Sequence, residues 1–516
     1  MSTDNTGGKP GLKRVLGLWG LVIYGIILVQ PTAAMPIYGI ICDKAQGHVV
    51  TTILIAMVAM LFTAISYGRM ANAYPSAGSA YTYVGRELHP SLGFLTGWAM
   101  VFDYMLNPIL SVMFCSYTAR RVLNPVILWT LQHWTSWQSA PEVPYWLWAV
   151  LFAALFTGMN LRAIEASART NRWIAAALMA VVVWFLLAAG CYIWTDPEAA
   201  AGRFWRPFYD PQSFELKLVS SGAALAMLTY IGFDAISTLS EEAHNPRRNI
   251  LLATVLTCVV TGILAGTQVY AAGLVWPSNQ FADPPTAFSD IAREAGTALP
   301  IPVSAAARGA ALFVTVSLAL LVAQIGSGAG AHMAGGRLLY GMGRDNAIPR
   351  RFFAAINPRT RIPHYNIVLI GAIALLGGLL GCVEQVTISL PKLAGGDTLG
   401  VVWATEKMQP FDLACEMLNF GALVGFMGVN LSALARYYVR GDNKKNLLNL
   451  LLPLAGFLIC LYLWCNLLPV AMVAGLAWLA AGFVYGAWKT RWFHRSIEFS
   501  VPDADVPTEH GGRKSG

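Results

Sequence analysis

Charge is scarce in this chain. Asp, Glu, Lys and Arg make up 12% of its 516 residues, about half the share of an ordinary soluble domain. So little charge does not suit a large globule in water. Cysteine is sparse as well. The eight form no CxxC pair and no regular framework, which argues against a disulfide scaffold or a thiolate metal site and leaves small apolar packing residues. The eight histidines at 48, 89, 133, 244, 332, 364, 494 and 510 make no HxxxH or HExxH pair, so neither a metal site nor a metal-dependent membrane enzyme is expected. Ser389-x-x-Lys392 has neither the Ser-Asp-Asn nor the Lys-Thr-Gly partner of an acyl-transfer set. No enzyme activity and no cofactor are expected.

What is abundant is apolar. Hydrophobic residues reach 56% and the mean hydropathy is +0.54. Uncharged windows such as Val49–Gly68, Trp173–Thr195, Leu251–Ala282 and Gly309–Ala331 exceed the roughly 18 residues that mark a membrane span. Twelve spans are expected near 14–42, 48–69, 92–121, 144–162, 171–194, 215–240, 250–275, 307–340, 363–383, 411–439, 447–468 and 470–489. The chain therefore reads as an all-α polytopic membrane protein. Its short polar N-terminus lacks the cleavage site of a secretory leader. The net charge of +8 is no nucleic-acid signature. Most Lys and Arg fall between alternate spans, and the positive-inside rule then puts both termini in the cytoplasm. Trp129, Trp134, Trp137, Tyr145, Trp146 and Trp148 read as an aromatic belt at the outer interface.

Two spans are interrupted. The first carries Gln30-Pro31-Thr32-Ala33-Ala34-Met35-Pro36, and prolines five apart argue for a break or a kink. The sixth carries Tyr230-Ile231-Gly232-Phe233-Asp234 and ends in Glu241-Glu242-x4-Arg247-Arg248. An acid at membrane depth is costly enough to be a functional hypothesis by itself. Paired breaks are how many secondary transporters build a midplane substrate site. Asp234 serves either as cap of the resumed half-helix or as a direct contact to substrate or proton. The third span holds a second acid in Asp103-Tyr104. The eighth holds Gln324-Ile325-Gly326-Ser327-Gly328, which reads as close helix packing, with Gln324 or Ser327 facing substrate as the alternative. Glu241 and Glu242 beside Arg247 form either a solvated ion-pair cluster or a cytoplasmic gate, to which Arg344 would contribute.

Four segments together carry a resemblance. Tyr74-Pro75-x-Ala77-Gly78-Ser79-Ala80-Tyr81-x-Tyr83, Gly97-Trp98-x4-Asp103-Tyr104, Gly232-Phe233-Asp234-x6-Glu241-Glu242-x2-Asn245-Pro246 and Arg337-Leu338-Leu339-Tyr340-x-Met342-Gly343-Arg344-Asp345 are similar to the amino acid–polyamine–organocation permeases. Phe62–Gly68 and Asn419–Val424 resemble the putrescine-importer-like branch. The resemblance implies a LeuT-like 5+5 inverted repeat with broken helices 1 and 6 plus two extra helices. Its parts would be a tail at 1–13, a transport core at 14–440 (repeats 14–194 and 215–440), two C-terminal helices at 441–492 and a disordered cytoplasmic tail at 493–516. It implies a plasma-membrane permease, in a bacterium the inner membrane, importing an amino acid or a polyamine by alternating access. Proton symport is expected, exchange is the alternative, and a channel lacks its pore loops here. Membrane lipid is the surrounding partner. Candidate substrate contacts are Gln30, Thr32, Ala33, Ala34, Met35, Asp103, Tyr104, Tyr230, Phe233, Asp234, Ser237, Gln324 and Ser327, with Asp103 as proton carrier.

Two departures from the family pattern bear on substrate and coupling. The first break lacks the Gly-Ser-Gly-like run that holds a substrate carboxylate in many members, although Thr32–Met35 retain four N–H groups. The fifth span lacks the Lys of many proton-coupled relatives. The Glu384–Pro410 connection is longer than the family's usual link.

Overall fold

The computed structural model describes residues 16–74, 79–134, 142–162, 168–195, 197, 201–239, 243–360, 362–383, 385–394, 400–440 and 446–490. Helix dominates them. Helix α1 (Leu18–Val29) and α2 (Tyr38–Lys44) flank the first break; α3 (Val49–Ala73), a short α4 (Ser79–Glu87), α5 (Pro90–Trp134), α6 (Tyr145–Leu161) and α7 (Ala168–Thr195) follow. Helix α8 (Leu216–Ala226) leads through 3-10 turns at Met227–Tyr230 and Phe233–Leu239 into α9 (Pro246–Val275). Then come α10 (Ala287–Gly296), α11 (Ala305–Arg344), α12 (His364–Leu379), α13 (Pro410–Leu434), α14 (Leu448–Cys465) and α15 (Pro469–Lys489). Among the described residues nine helices are long and apolar enough to cross a membrane. Three shorter apolar helices, Leu18–Val29, Tyr145–Leu161 and Leu216–Tyr230, occupy the first, fourth and sixth of the twelve expected spans. The protein is an all-α polytopic membrane protein.

One departure from all-helix architecture is the α12–α13 connection. It forms an antiparallel hairpin, β1 (Val386–Ala394) against β2 (Gly400–Met408), with Val386 opposite Met408.

The packing follows one pattern. The two breaks meet, α3 packs on α9, α5 on α11 and α6 on α12. Exchange of two five-helix runs would produce these pairings. Small residues sit at the contacts, as close approach in lipid requires. A Cβ on Gly68 would lie 2.7 Å from Leu251 Cα across the α3–α9 contact. One on Gly328 would lie 2.6 Å from Ser111 Cβ between α11 and α5. Gly371 lies directly against Thr157 between α12 and α6. Within the glycine run of the eighth span, Gly326 and Gly330 face open space, so only Gly328 is required by packing there.

At 45 and 40 residues, α5 and α11 are far longer than the ~20 residues that cross a bilayer. They form a paired post beside the breaks. Helix α15 is fastened to α5 by two reciprocal bonds. The Trp98 indole N–H donates to the Trp478 carbonyl and the Trp478 indole to the Trp98 carbonyl, both at 2.9 Å, with the rings stacked at 4.8 Å. Two residues expected in the aromatic belt belong to the interior. Tyr145 and Trp148 are buried, donating to the Gly378 carbonyl (3.0 Å) and Asn124 Oδ1 (3.0 Å). Trp129 and Trp146 are exposed, as a lipid-facing belt requires.

Candidate functional site

The first break begins at Gln30. A residue before proline is pushed out of the helical region, and Gln30 takes φ 71°, ψ 136°, a conformation uncommon outside glycine. Its side chain holds it there, with Nε2 donating to the Ala323 carbonyl of α11 at 2.5 Å. The next carbonyl, Pro31, accepts from Gln268 Nε2 of α9 at 2.9 Å. Residues 31–37 then run as turns. The Ala33 N–H donates to the Gln30 carbonyl (3.3 Å) and the Met35 N–H to that of Thr32 (3.0 Å). Half of the four amides expected to face a ligand are thus turned onto the break's own backbone.

The second break is built differently. After the turn at Met227–Tyr230, Ile231 is extended and Gly232 adopts φ +120°. L-residues rarely reach that φ. A Cβ there would meet the Leu28 carbonyl carbon and oxygen and the Val29 nitrogen at 3.4 Å, so the two breaks touch backbone to backbone. Asn419 of α13 donates Nδ2 to the Ala224 carbonyl at 3.0 Å. That side chain satisfies an acceptor freed where the helix ends. Tyr230 is occupied with packing, its hydroxyl donating to the Ile53 carbonyl at 2.9 Å. Ser237 Oγ donates to the Asp234 carbonyl at 2.6 Å.

Both intramembrane acids are buried. Asp103 is 6% exposed and Asp234 7%, and they lie within electrostatic reach of each other and of Tyr67 and Tyr104. Gly421 of α13 sits against Asp103, its would-be Cβ 3.2 Å from Asp103 Cβ. Beside this cluster Phe233 packs on Tyr67 (5.6 Å, edge-on) and Phe426 (5.7 Å), and Tyr67 on Tyr83 (6.2 Å). This aromatic layer closes the side of the second break that leads toward α4.

Next to the breaks lies a cavity of about 90 Å³. Gln30, Ala33, Gln324 and Ser327, all expected from the sequence, line it. So do Asn107, Ser111 and Phe411, which the sequence reading missed. Ser111 Oγ donates to Gln324 Oε1 at 3.3 Å, orienting that amide toward the cavity. Asp103, Asn107 and Ser111 recur every four residues on one face of α5, a spacing that would have disclosed the last two. Thr32, Ala34 and Met35 are buried behind the first break and do not line the cavity. Neither do Asp103, Tyr104, Tyr230, Phe233, Asp234 or Ser237. Among the described residues no group of His, Cys, Asp and Glu has metal-site geometry.

Of the expected gate residues, Glu241, Glu242 and the Arg247 side chain lie outside the described residues. Arg344 pairs with its neighbour Asp345 at 3.6 Å, and Asp345 accepts from the Tyr81 hydroxyl at 3.3 Å. A stronger cluster went unread in the sequence. Glu87, almost wholly buried, pairs with Arg436 (2.5 Å) and Arg440 (3.0 Å) and accepts from the Tyr74 hydroxyl at 2.6 Å. Burial, then the bond to Glu87, push the Tyr74 phenol up to about 12, so it stays a donor. Arg436 and Arg440 follow or lie within the π-turn Ala435–Val439 at the end of α13, and thereby tie α4 to that end.

Comparison with known proteins agrees with this geometry. A sequence model described as "Amino acid permease" matches residues 20–492. The low-affinity putrescine importer PlaP of Escherichia coli (strain K12) is 31% identical over 502 residues, 96% of this chain and 97% of the relative. The branched-chain amino acid permease BcaP of Bacillus subtilis (strain 168) is 26% identical, covering 93% of each chain. The methylthioribose transporter of the same organism is 24% identical over 92% of this chain and 93% of the relative. A multi-pass chain with two touching helix breaks, matched over nearly its full length, belongs to the amino acid permease family of the amino acid–polyamine–organocation permeases and is a transporter rather than an enzyme.

Proposed function

We propose that this permease imports a small cationic amine, a diamine of putrescine's size, by alternating access about the two breaks, with Asp103 carrying a coupling proton. The observation that carries the reading is the burial of two acids, Asp103 and Asp234, near the breaks, where two of the four break amides are turned onto the break's own backbone. The site is thus rich in acceptors and short of donors. Two neighbouring carboxylates away from water are costly when both are ionised. An ammonium group or a proton relieves that cost. An α-amino acid instead needs amides for its carboxylate, and the Thr32 and Ala34 N–H groups keep that second reading open. The putrescine importer among the relatives supports the first reading and the branched-chain permease the second.

Competition decides between them. Uptake of labelled putrescine is expected to be inhibited by agmatine and to be indifferent to alanine and glutamate. Inhibition by α-amino acids alone would refute the amine reading. Counterflow of labelled against unlabelled substrate in proteoliposomes is expected and would be missing in a channel.

We further propose a plasma-membrane location with both termini cytoplasmic, the two five-helix repeats at 14–194 and 215–440, and α14 and α15 as additions outside them. A reporter fused after Gly516 should signal from the cytoplasm and one inserted within 276–302 from outside. The reverse pattern would refute this orientation.

A further inference from the structure

A second cavity lies away from the breaks. It measures about 310 Å³ and is lined by Asp43 and Lys44 at the end of α2, Lys407 and Met408 at the end of β2, and Asp412 in the first turn of α13. In the proposed orientation it faces outward. Its two lysines are differently placed. Lys44 is taken up by an ion pair with Glu416, which is fully buried and also accepts the Leu468 N–H at 3.2 Å. Lys407 is exposed. Asp412 is the unusual member. Its Oδ1 is buried and has no hydrogen-bond partner, although the residue as a whole is partly exposed. A buried acceptor without a donor is costly, and here it borders a cavity at the lower end of the small-ligand range. The lining carries two carboxylates, Asp43 and Asp412, against two ammonium groups, so that replacing Lys407 leaves one negative charge in excess.

We propose that this vestibule binds the primary ammonium group of an alkylamine entering from outside. Asp412 is its principal acceptor and Asp43 the second, while Lys407, carried by the hairpin, is a tethered competitor for the same oxygens. The hairpin thereby acquires a function: it places a removable counter-ion at the mouth of the transport path. The ligand class rests on the amine reading above; the cation preference of the cavity does not.

The test measures the cavity's potential and occupancy without transport. In full-length protein with exposed Cys382 and Cys465 replaced by serine, Lys407→Cys is modified by a cationic or an anionic methanethiosulfonate of similar size. Mass spectrometry of the labelled peptide gives the rates. The cationic reagent is expected to react about tenfold faster, as one nearby excess charge dictates. Asp412→Asn should abolish that preference, Asp43→Asn should reduce it, and putrescine should slow labelling only while Asp412 is present. Equal rates for the two reagents would overturn the proposal, and so would cation preference without protection by putrescine. Should Asp412→Asn fail to reach the membrane, the Asp43→Asn protein gives the same comparison. Protection without putrescine uptake would uphold the vestibule and refute the transport reading. Uptake without protection would do the opposite.

Discussion

Gly232→Ala is expected to reduce the initial rate of uptake by one to two orders of magnitude while leaving the amount of protein in the membrane unchanged. The cost is conformational rather than steric. At φ +120° an alanine is held where L-residues are strained by about 1–3 kcal/mol. Its Cβ would meet the Leu28 backbone only at 3.4 Å, an ordinary contact. At 1.4 kcal/mol per tenfold that strain shifts the population of the broken geometry by roughly five- to hundredfold. A helix that runs straight through this position would bury the carbonyls now turned into the break and move Asp234 away from Asp103. Initial rates in proteoliposomes, normalised to reconstituted protein, supply the measurement. A wild-type rate would show that transport does not need the left-handed residue.

Asp103→Asn is expected to abolish accumulation driven by a pH gradient and to leave exchange of labelled for unlabelled substrate largely intact. Asparagine keeps the shape of the side chain and its packing against Gly421, but it carries neither a titrating proton nor a charge. Coupled uptake needs the proton, whereas exchange needs only the binding geometry. Loss of both activities would make Asp103 a substrate ligand rather than a proton carrier. Retention of both would remove it from the mechanism, and sodium-driven uptake by the unmodified protein would replace the proton reading.

The sequence disclosed where the helices fail better than what holds them once they have failed. Proline at 31 and 36, and glycine beside an acid at 232–234, announce breaks because each residue type has a backbone consequence of its own. Asp103 announces itself by its cost in hydrocarbon. The amides that fasten the breaks are another matter. Gln268 lies 237 residues from Pro31 and Asn419 lies 195 from Ala224, and neither is distinguishable in sequence from a polar residue on any helix face. Glu87 went unread because its partners Arg436 and Arg440 belong to the far end of α13. The hairpin escaped because no two-residue Asn-Gly or Asp-Gly turn separates its strands in the sequence. Tyr145 and Trp148 were assigned to the interface by composition, although their polar atoms find partners inside.

The clasp between Trp98 and Trp478 bears on how the protein is made. Synthesis runs from the N-terminus, so α5 enters the membrane long before α15 exists. Until residue 478 arrives, the Trp98 indole N–H and carbonyl lack the partners that they have in the finished protein, in a medium that offers little replacement. Five residues beyond Trp98 is Asp103. The helix that carries the acid therefore gains this clasp only when α15 docks. A nascent chain cut short before that point would contain every residue of the substrate cavity and still lack the clasp that fixes α5.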